Sequence, residues 1–208
     1  CGLSEHRRYH SDKKRDYLQC SRCELVFTPA NFYLSPEQER AEYEKHENSS
    51  ADLGYRRFLS RLSDPLSNRL TSGASGLDFG CGPGPALADM MVEQGFTMEN
   101  YDPFFANKPK LLSRQYDFVC ATEVVEHLHH PQQVFEQLFK CLKPNGLLGI
   151  MTKRVISQAA FSRWHYKNDP THVCFYSVAS FEFIADKFEA KLSIEGDDVV
   201  IFKAGAEH

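Results

Sequence analysis

The sequence predicts an α/β protein built on a doubly wound, mostly parallel sheet with a small N-terminal appendage. Three observations carry this. From residue 73 to the C-terminus, short apolar strand patterns alternate with helical ones, the order that buries a parallel sheet between helices. The first of these strands runs into Gly-Cys-Gly-Pro-Gly (80–84) and then a helix. Residues 1–34, by contrast, are polar and basic and hold a Cys-x-x-Cys. At 208 residues, 42% hydrophobic and 25% charged, the chain suffices for one ordinary domain with a core plus a small extra unit.

Each element follows from local pattern. Ser35-Pro36-Glu37-Gln38 is a helix start, with Ser at the N-cap, Pro at the first helical position and Gln three residues after the cap. Tyr55, Phe58, Leu59 and Leu62 recur at three- and four-residue spacing and predict a helix from Leu53 to Leu62, which Asp64-Pro65 should end or bend. These helices, within 35–72, form either a scaffold or a lid. Strands are expected at 75–79, 96–101, 116–121 and 147–152, with helices at 85–94 and through Val134, Leu138 and Leu142, and a turn at Lys143-Pro144-Asn145-Gly146. A helix at 180–187 and strands at 190–195 and 198–203, joined by a Gly-Asp-Asp turn, add a C-terminal antiparallel hairpin.

Composition excludes some functions. The net charge of −4 argues against a surface that coats nucleic acid, although residues 1–34 carry +2 and the remainder −6. The longest apolar stretch, LLGIM (147–151), is far too short to span a bilayer, and CGLSEHRRYH lacks the apolar core of a signal peptide. Seven cysteines (1, 20, 23, 81, 120, 141 and 174), four of them single in core-like segments, predict reduced thiols and a cytoplasmic location.

The strand–loop–helix around LDFGCGPGP (77–85) brings helix N–H groups and Cβ-free backbone to one point, where an anionic or closely approaching ligand fits. Asp102 ends the next strand, at the distance beyond Gly84 where a ribose-binding acid belongs. Position 85 is Pro, so the dinucleotide pattern Gly-x-Gly-x-x-Gly/Ala is not met, which weakens a nicotinamide oxidoreductase reading.

With Asp78, Gly80, Gly82 and Gly84 in the pattern D/E-x-G-x-G-x-G, the chain resembles class I S-adenosylmethionine-dependent methyltransferases. YDP (101–103), YDFVCATEVVEHLHHP (116–131) and LFKCLKPNGLLGIMT (138–152) extend the resemblance. It implies a Rossmann-like fold at 73–208, S-adenosylmethionine as donor, and a small-molecule methyl acceptor as partner, with nucleic acid as an alternative acceptor. It also implies that Gly80, Gly82 and Gly84 pack on the methionine part, that Asp102 binds both ribose hydroxyls, and that Ala121 and Thr122 line the cofactor. One departure is expected: the short stretch from Asp102 to Asp117 leaves no room for the usual helix and third strand. The sheet should be shortened there, with 108–112 as a remnant and Phe104 as a weak substitute for the adenine-contacting acid.

DYLQCSRCELVFTP (16–29) resembles one knuckle of a zinc ribbon, with Cys20 and Cys23 as ligands, Cys1 as an expected third, and His6 or His10 as substitutes for a fourth. Residues 35–72 would link this knuckle to the domain. Glu123-x-x-Glu126-His127, completed by His172, resembles the divalent-metal motif of ubiquinone-pathway O-methyltransferases and of small-RNA terminal methyltransferases, with Mg²⁺ or a similar ion bound there. Without a metal, His127 and His172 serve as general bases, while His165, Tyr166 and Tyr176 shape the substrate pocket and His129 and His130 are ordinary loop residues. The opposing reading is an inactive core in which Arg7, Arg8, Lys13, Lys14 and Arg15 bind nucleic acid.

Overall fold

The computed structural model describes residues 5–45 and 49–206. At its centre, β4 (Ser75–Phe79), β5 (Thr97–Tyr101), β6 (Tyr116–Thr122) and β7 (Leu142–Met151) run parallel. The hairpin of β9 (Lys191–Glu195) and β10 (Val199–Lys203) joins them antiparallel through β10 and β7, giving a six-stranded sheet in the order β5-β4-β6-β7-β10-β9. The sheet ends at β5. As the sequence leads one to expect, no strand among the described residues follows there, and a short 3₁₀ turn at Pro109–Ser113 fills the place of the third strand.

The strands separate two apolar layers because successive side chains point to opposite faces. Val119 and Ala121 of β6 pack with α4 (Pro131–Lys140) and α6 (Val178–Lys187), whereas Phe118 and Cys120 pack with α2 (Leu53–Ser67) and α3 (Ala86–Glu93). α1 (Pro36–Tyr43) starts as its sequence predicts: the Ser35 hydroxyl accepts from the Gln38 N–H, and the Gln38 side chain accepts from the Ser35 N–H.

Two elements have other bounds than expected. α2 does not end at Asp64-Pro65 but continues through Pro65 to Ser67, because Leu59, Leu62 and Leu66, fully buried on both sides of the proline, hold the helix against the sheet. Leu142 is not helical. α4 ends at Lys140, and Leu142 already pairs with Tyr116, so the turn at 143–146 bulges out of a strand that resumes register at Leu147 opposite Phe118.

The N-terminal residues build a second sheet from β1 (His6–Ser11), β2 (Asp16–Cys20), β3 (Val26–Phe27) and β8 (Cys174–Phe175), in the order β1-β2-β3-β8. Val26 pairs with Phe175 and Phe27 with Cys174, so the N-terminal hairpin is stitched to a segment far along the chain. Tyr9, Tyr17 and Val26 bury their side chains with Phe161, Tyr166 and Phe175 in a third apolar cluster, which α5 (Gln158–Ser162) flanks. No helix among the described residues is long and apolar enough to cross a membrane.

Candidate functional site

β4, β5 and β6 deliver their carboxyl ends to one edge, where a cavity of about 740 Å³ opens under α1 and α2. In open α/β sheets this edge is where ligands bind. A hollow of about 540 Å³ lined by Arg69, Asp117, Lys143 and Lys191 lies at the opposite edge, where β6 and β7 begin.

The glycine loop forms one wall. Gly80 adopts φ +76°, and a Cβ there would lie 2.5 Å from Val124 Cγ2, so no other residue fits. Its N–H donates to the Tyr101 carbonyl at 2.7 Å, tying the loop to the end of β5. The next residue of β5's exit, Asp102, holds the loop in turn: Oδ2 accepts from the Gly82 N–H (3.0 Å), and Oδ1 from the N–H groups of Phe104 (2.8 Å) and Phe105 (3.0 Å). A carboxylate offers about four acceptor positions, so roughly one remains for a ribose hydroxyl unless an amide is displaced. Asp78 also lines the cavity. It is 2% exposed, Oδ1 has no hydrogen-bond partner, and burial, followed by the charge of Asp102, pushes its carboxyl up to about 7. Thr122 borders the same space, whereas Ala121 lies wholly in the core and Gly84 is not part of the lining.

After β6 the chain turns sharply at Glu123, which holds φ +51°, an unfavourable value for a side chain with a Cβ. A 3₁₀ turn at Val125–His127 then buries Glu126 completely beside the Tyr166 hydroxyl, which donates to it and lies 3.2 Å from both Glu123 Oε2 and Thr152 Oγ1. Burial, then the neighbouring Glu123, holds the Glu126 carboxyl well above the usual carboxylate range; burial moves Glu123 itself up to about 7. His127 Nδ1–H donates to the Thr171 carbonyl (3.2 Å) and His172 Nδ1–H to the Tyr166 carbonyl (2.8 Å). The two imidazoles meet edge to face, 4.7 Å between centroids.

Among the described residues, one group of three metal-capable side chains meets: Glu126, His127 and His172, with ligand atoms within 4.8 Å of one another. Glu123 stands next to this group without being part of it. Cys20 and Cys23 are both buried at the β2–β3 turn and belong to no such group; Cys1 lies outside the described residues. Burial pushes the Cys20 thiol up, but the amides of Cys23 and Arg22 outweigh this and hold it below its ordinary value.

Some functional residues escape sequence reasoning. Glu39 and Tyr43 of α1 and Tyr55 and Phe58 of α2 line the cavity, so the helical segment covers the site as well as bracing the sheet. His129, read as an ordinary loop residue, lines it too: Nε2 lies 2.8 Å from Glu39 Oε1, and its ring stacks on Tyr33. Conversely, His165 is exposed, and Tyr166 and Tyr176 stand behind the lining; Tyr176 donates to the Val125 carbonyl.

Arg15 is the largest surprise. In the basic run Lys13-Lys14-Arg15 it reads as a surface charge, yet it is 7% exposed and donates to four carbonyls of the segment that carries His172. Nη1 reaches Pro170 (3.2 Å) and His172 (2.9 Å); Nη2 reaches Asp169 (2.7 Å) and Lys167. The Lys167 ammonium returns to Asp12 at 2.6 Å. Arg7 donates to Gln19, and Arg8 lies 3.7 Å from Asp16. The five cations therefore do not form one free basic face.

A family profile described as a methyltransferase domain matches residues 49–192. No curated protein matches the chain significantly. Among solved structures, the Burkholderia thailandensis 1,6-didemethyltoxoflavin-N1-methyltransferase, with bound 1,6-didemethyltoxoflavin and S-adenosylhomocysteine, is similar at 13% identity, 89% of this chain, 97% of that chain and a TM-score of 0.53. An O-methyltransferase family protein from the same organism is similar at 13% identity, 74% and 57% coverage and 0.55. A chain of the complex between the Haloferax volcanii Trm112 methyltransferase activator and a methyltransferase follows at 10%, 83% and 98%, and 0.54. At such identities these likenesses show the shared fold. The profile spans most of the chain, from the start of α2 to β9, and includes every strand that reaches the cavity: the chain belongs to the methyltransferase-domain family.

Proposed function

We propose that the chain transfers a methyl group from S-adenosylmethionine to a hydroxyl of a small molecule. The observation that carries the donor assignment is Asp78: a buried carboxylate with an unpartnered oxygen beside the glycine loop, in a cavity that also holds Asp102. Such a group is costly on its own and is satisfied by a cation. The donor brings an ammonium and a sulfonium, and supplies an electrophilic methyl.

Everything else is positioning and proton handling. The fixed loop, Asp78 and Asp102 hold the donor, and contact between acceptor oxygen and methyl carbon supplies most of the acceleration. As the oxygen forms its bond to carbon, the carbon–sulfur bond breaks and its electron pair stays on sulfur. The hydroxyl proton must then leave. In His127 and His172 the Nδ1–H groups are committed to backbone carbonyls, so Nε2 is the ring atom that would take it.

Calorimetry with S-adenosylhomocysteine tests the donor site. Wild type should bind, and Asp102→Ala should weaken binding at least about tenfold, since the one charged hydrogen bond left to this carboxylate is worth roughly 1.5–3 kcal/mol. Unchanged affinity would overturn the assignment of Asp102.

The Glu126–His127–His172 group favours a second reading, a divalent ion. Carboxylate and imidazole are suitable donors, Glu126 Oε2 is buried without a partner, and the Nδ1–H bonds fix both rings as metal sites require. A bound ion would polarise the acceptor oxygen. Titration with Mn²⁺, followed by its electron paramagnetic resonance signal, should then show one site per chain that Glu126→Gln weakens at least tenfold. A flat titration leaves the histidines as plain bases.

A further inference from the structure

We propose that the methyl acceptor is an aromatic molecule without negative charge, neutral or cationic at neutral pH, seated between α1 and the Asp169–His172 segment. The proposal rests on the methyl-transfer reading above and names the class of molecule it acts on. Among the described residues no Lys or Arg lines the cavity, while carboxylates enter it from several elements. Asp78 and Asp102 sit at the glycine loop. Glu39 comes from α1 and Asp169 from the segment that Arg15 clamps.

The facing groups do not reverse this balance. His129 is matched to Glu39 at 2.8 Å, and His172 Nε2 lies 3.8 Å from Asp169 Oδ2. Arg15 is spent on carbonyls, and Lys153 stacks over Tyr166, which does not line the cavity. The donor's own carboxylate is offset by its ammonium and sulfonium. An acceptor carrying a carboxylate or phosphate would therefore enter a space that holds no Lys or Arg and whose histidines already face the acids Glu39 and Asp169, and with no cation left to pair with it, like charge disfavours it.

The same space offers rings. Tyr43 meets His127 edge to face at 5.3 Å and Phe104 at 5.6 Å, and Tyr55 stacks on Phe58. Flat aromatic walls with negative surroundings suit a ring, and favour one bearing an amine.

The test titrates full-length protein with S-adenosylhomocysteine first, then adds three matched phenols to the saturated complex: tyramine, para-ethylphenol and para-hydroxyphenylpropionate. Tyramine or the neutral phenol should bind at least about tenfold tighter than the carboxylate. Asp169→Asn should narrow the gap between tyramine and the carboxylate at least threefold. Equal or tighter binding of the carboxylate, or no binding of any of the three, overturns the proposal. A gap unmoved by Asp169→Asn overturns the role given to that wall. If S-adenosylhomocysteine itself does not bind, the methyl-transfer reading fails and the proposal with it, and the order of addition tells these failures apart.

Discussion

Replacing Arg15 by methionine will lower the stability of the full chain by about 3–5 kcal/mol, since four carbonyls lose a charged donor and each buried group left unsatisfied costs roughly 1–3 kcal/mol. The guanidinium is the common donor for the carbonyls of Lys167, Asp169, Pro170 and His172, which methionine leaves facing an apolar stem of similar length. Nearby, Asp12 feels burial, but the Lys167 ammonium more than offsets it and holds the carboxyl well below its usual range, so this ion pair persists at neutral pH and cannot take over the carbonyls. For a chain of this size the loss corresponds to a fall in Tm of roughly 10 °C. Urea unfolding of wild type, Arg15→Met and Arg15→Lys measures it. Lysine, with three donors in place of a five-donor fork, should recover only part of the loss. A change below about 1 kcal/mol in Arg15→Met would mean that the loop holds itself and the clamp is incidental.

That residue also marks the limit of what the sequence could show. The cavity's glycine wall was legible because strand, loop, helix and acid follow one another directly between Ser75 and Asp102, and each obeys a local rule. Glu126 and His127 were legible for the same reason, being adjacent on one turn. The shortened sheet was legible from spacing alone, since the stretch from Asp102 to Asp117 cannot hold both a helix and a strand. Arg15 was not, because its partners lie far along the chain, between Lys167 and His172, and nothing in a basic run distinguishes a buried guanidinium from a solvated one. β8 was missed because two residues, Cys174 and Phe175, cannot display an alternation. Without β8 the N-terminal hairpin has no visible anchor, and residues 1–34 read as a separate knuckle. Glu39 and Tyr43 escaped because a helix with a polar face gives no hint of which side covers a cavity. Pro65 does not end α2 for a physical reason: its local penalty is real, but three buried leucines around it outweigh one lost hydrogen bond.

The site's own charges should make the protein less stable as pH rises, and Asp78→Asn should remove much of that loss. In the unfolded chain Asp78 ionises near the ordinary aspartate value of about 3.9, whereas in the folded chain burial and the charge of Asp102 move it to about 7. Below about pH 4 both states hold the proton, and Asp78 adds no pH dependence. Between these values only the unfolded chain releases it, so the native state loses ground with each unit. Above pH 7 both are ionised and the penalty is constant, on the order of 4 kcal/mol. Glu123, also moved to about 7, adds in the same direction. Urea midpoints of wild type should therefore fall between pH 5 and pH 8. In Asp78→Asn, which keeps the shape and cannot ionise, that fall should shrink by about 2.5 kcal/mol, the part of the penalty that develops within this window. The variant should gain this at the expense of its ligand, because the carboxylate that burdens the fold on its own is the one proposed to meet the donor's positive charge. S-adenosylhomocysteine, whose ammonium survives, should stabilise wild type more at pH 8 than at pH 5, by mass action on the ionised form, and should stabilise Asp78→Asn less at pH 8 than it does wild type. Equal pH dependence in wild type and variant would show that Asp78 is solvated or paired, and would remove the reason for placing a cation beside it.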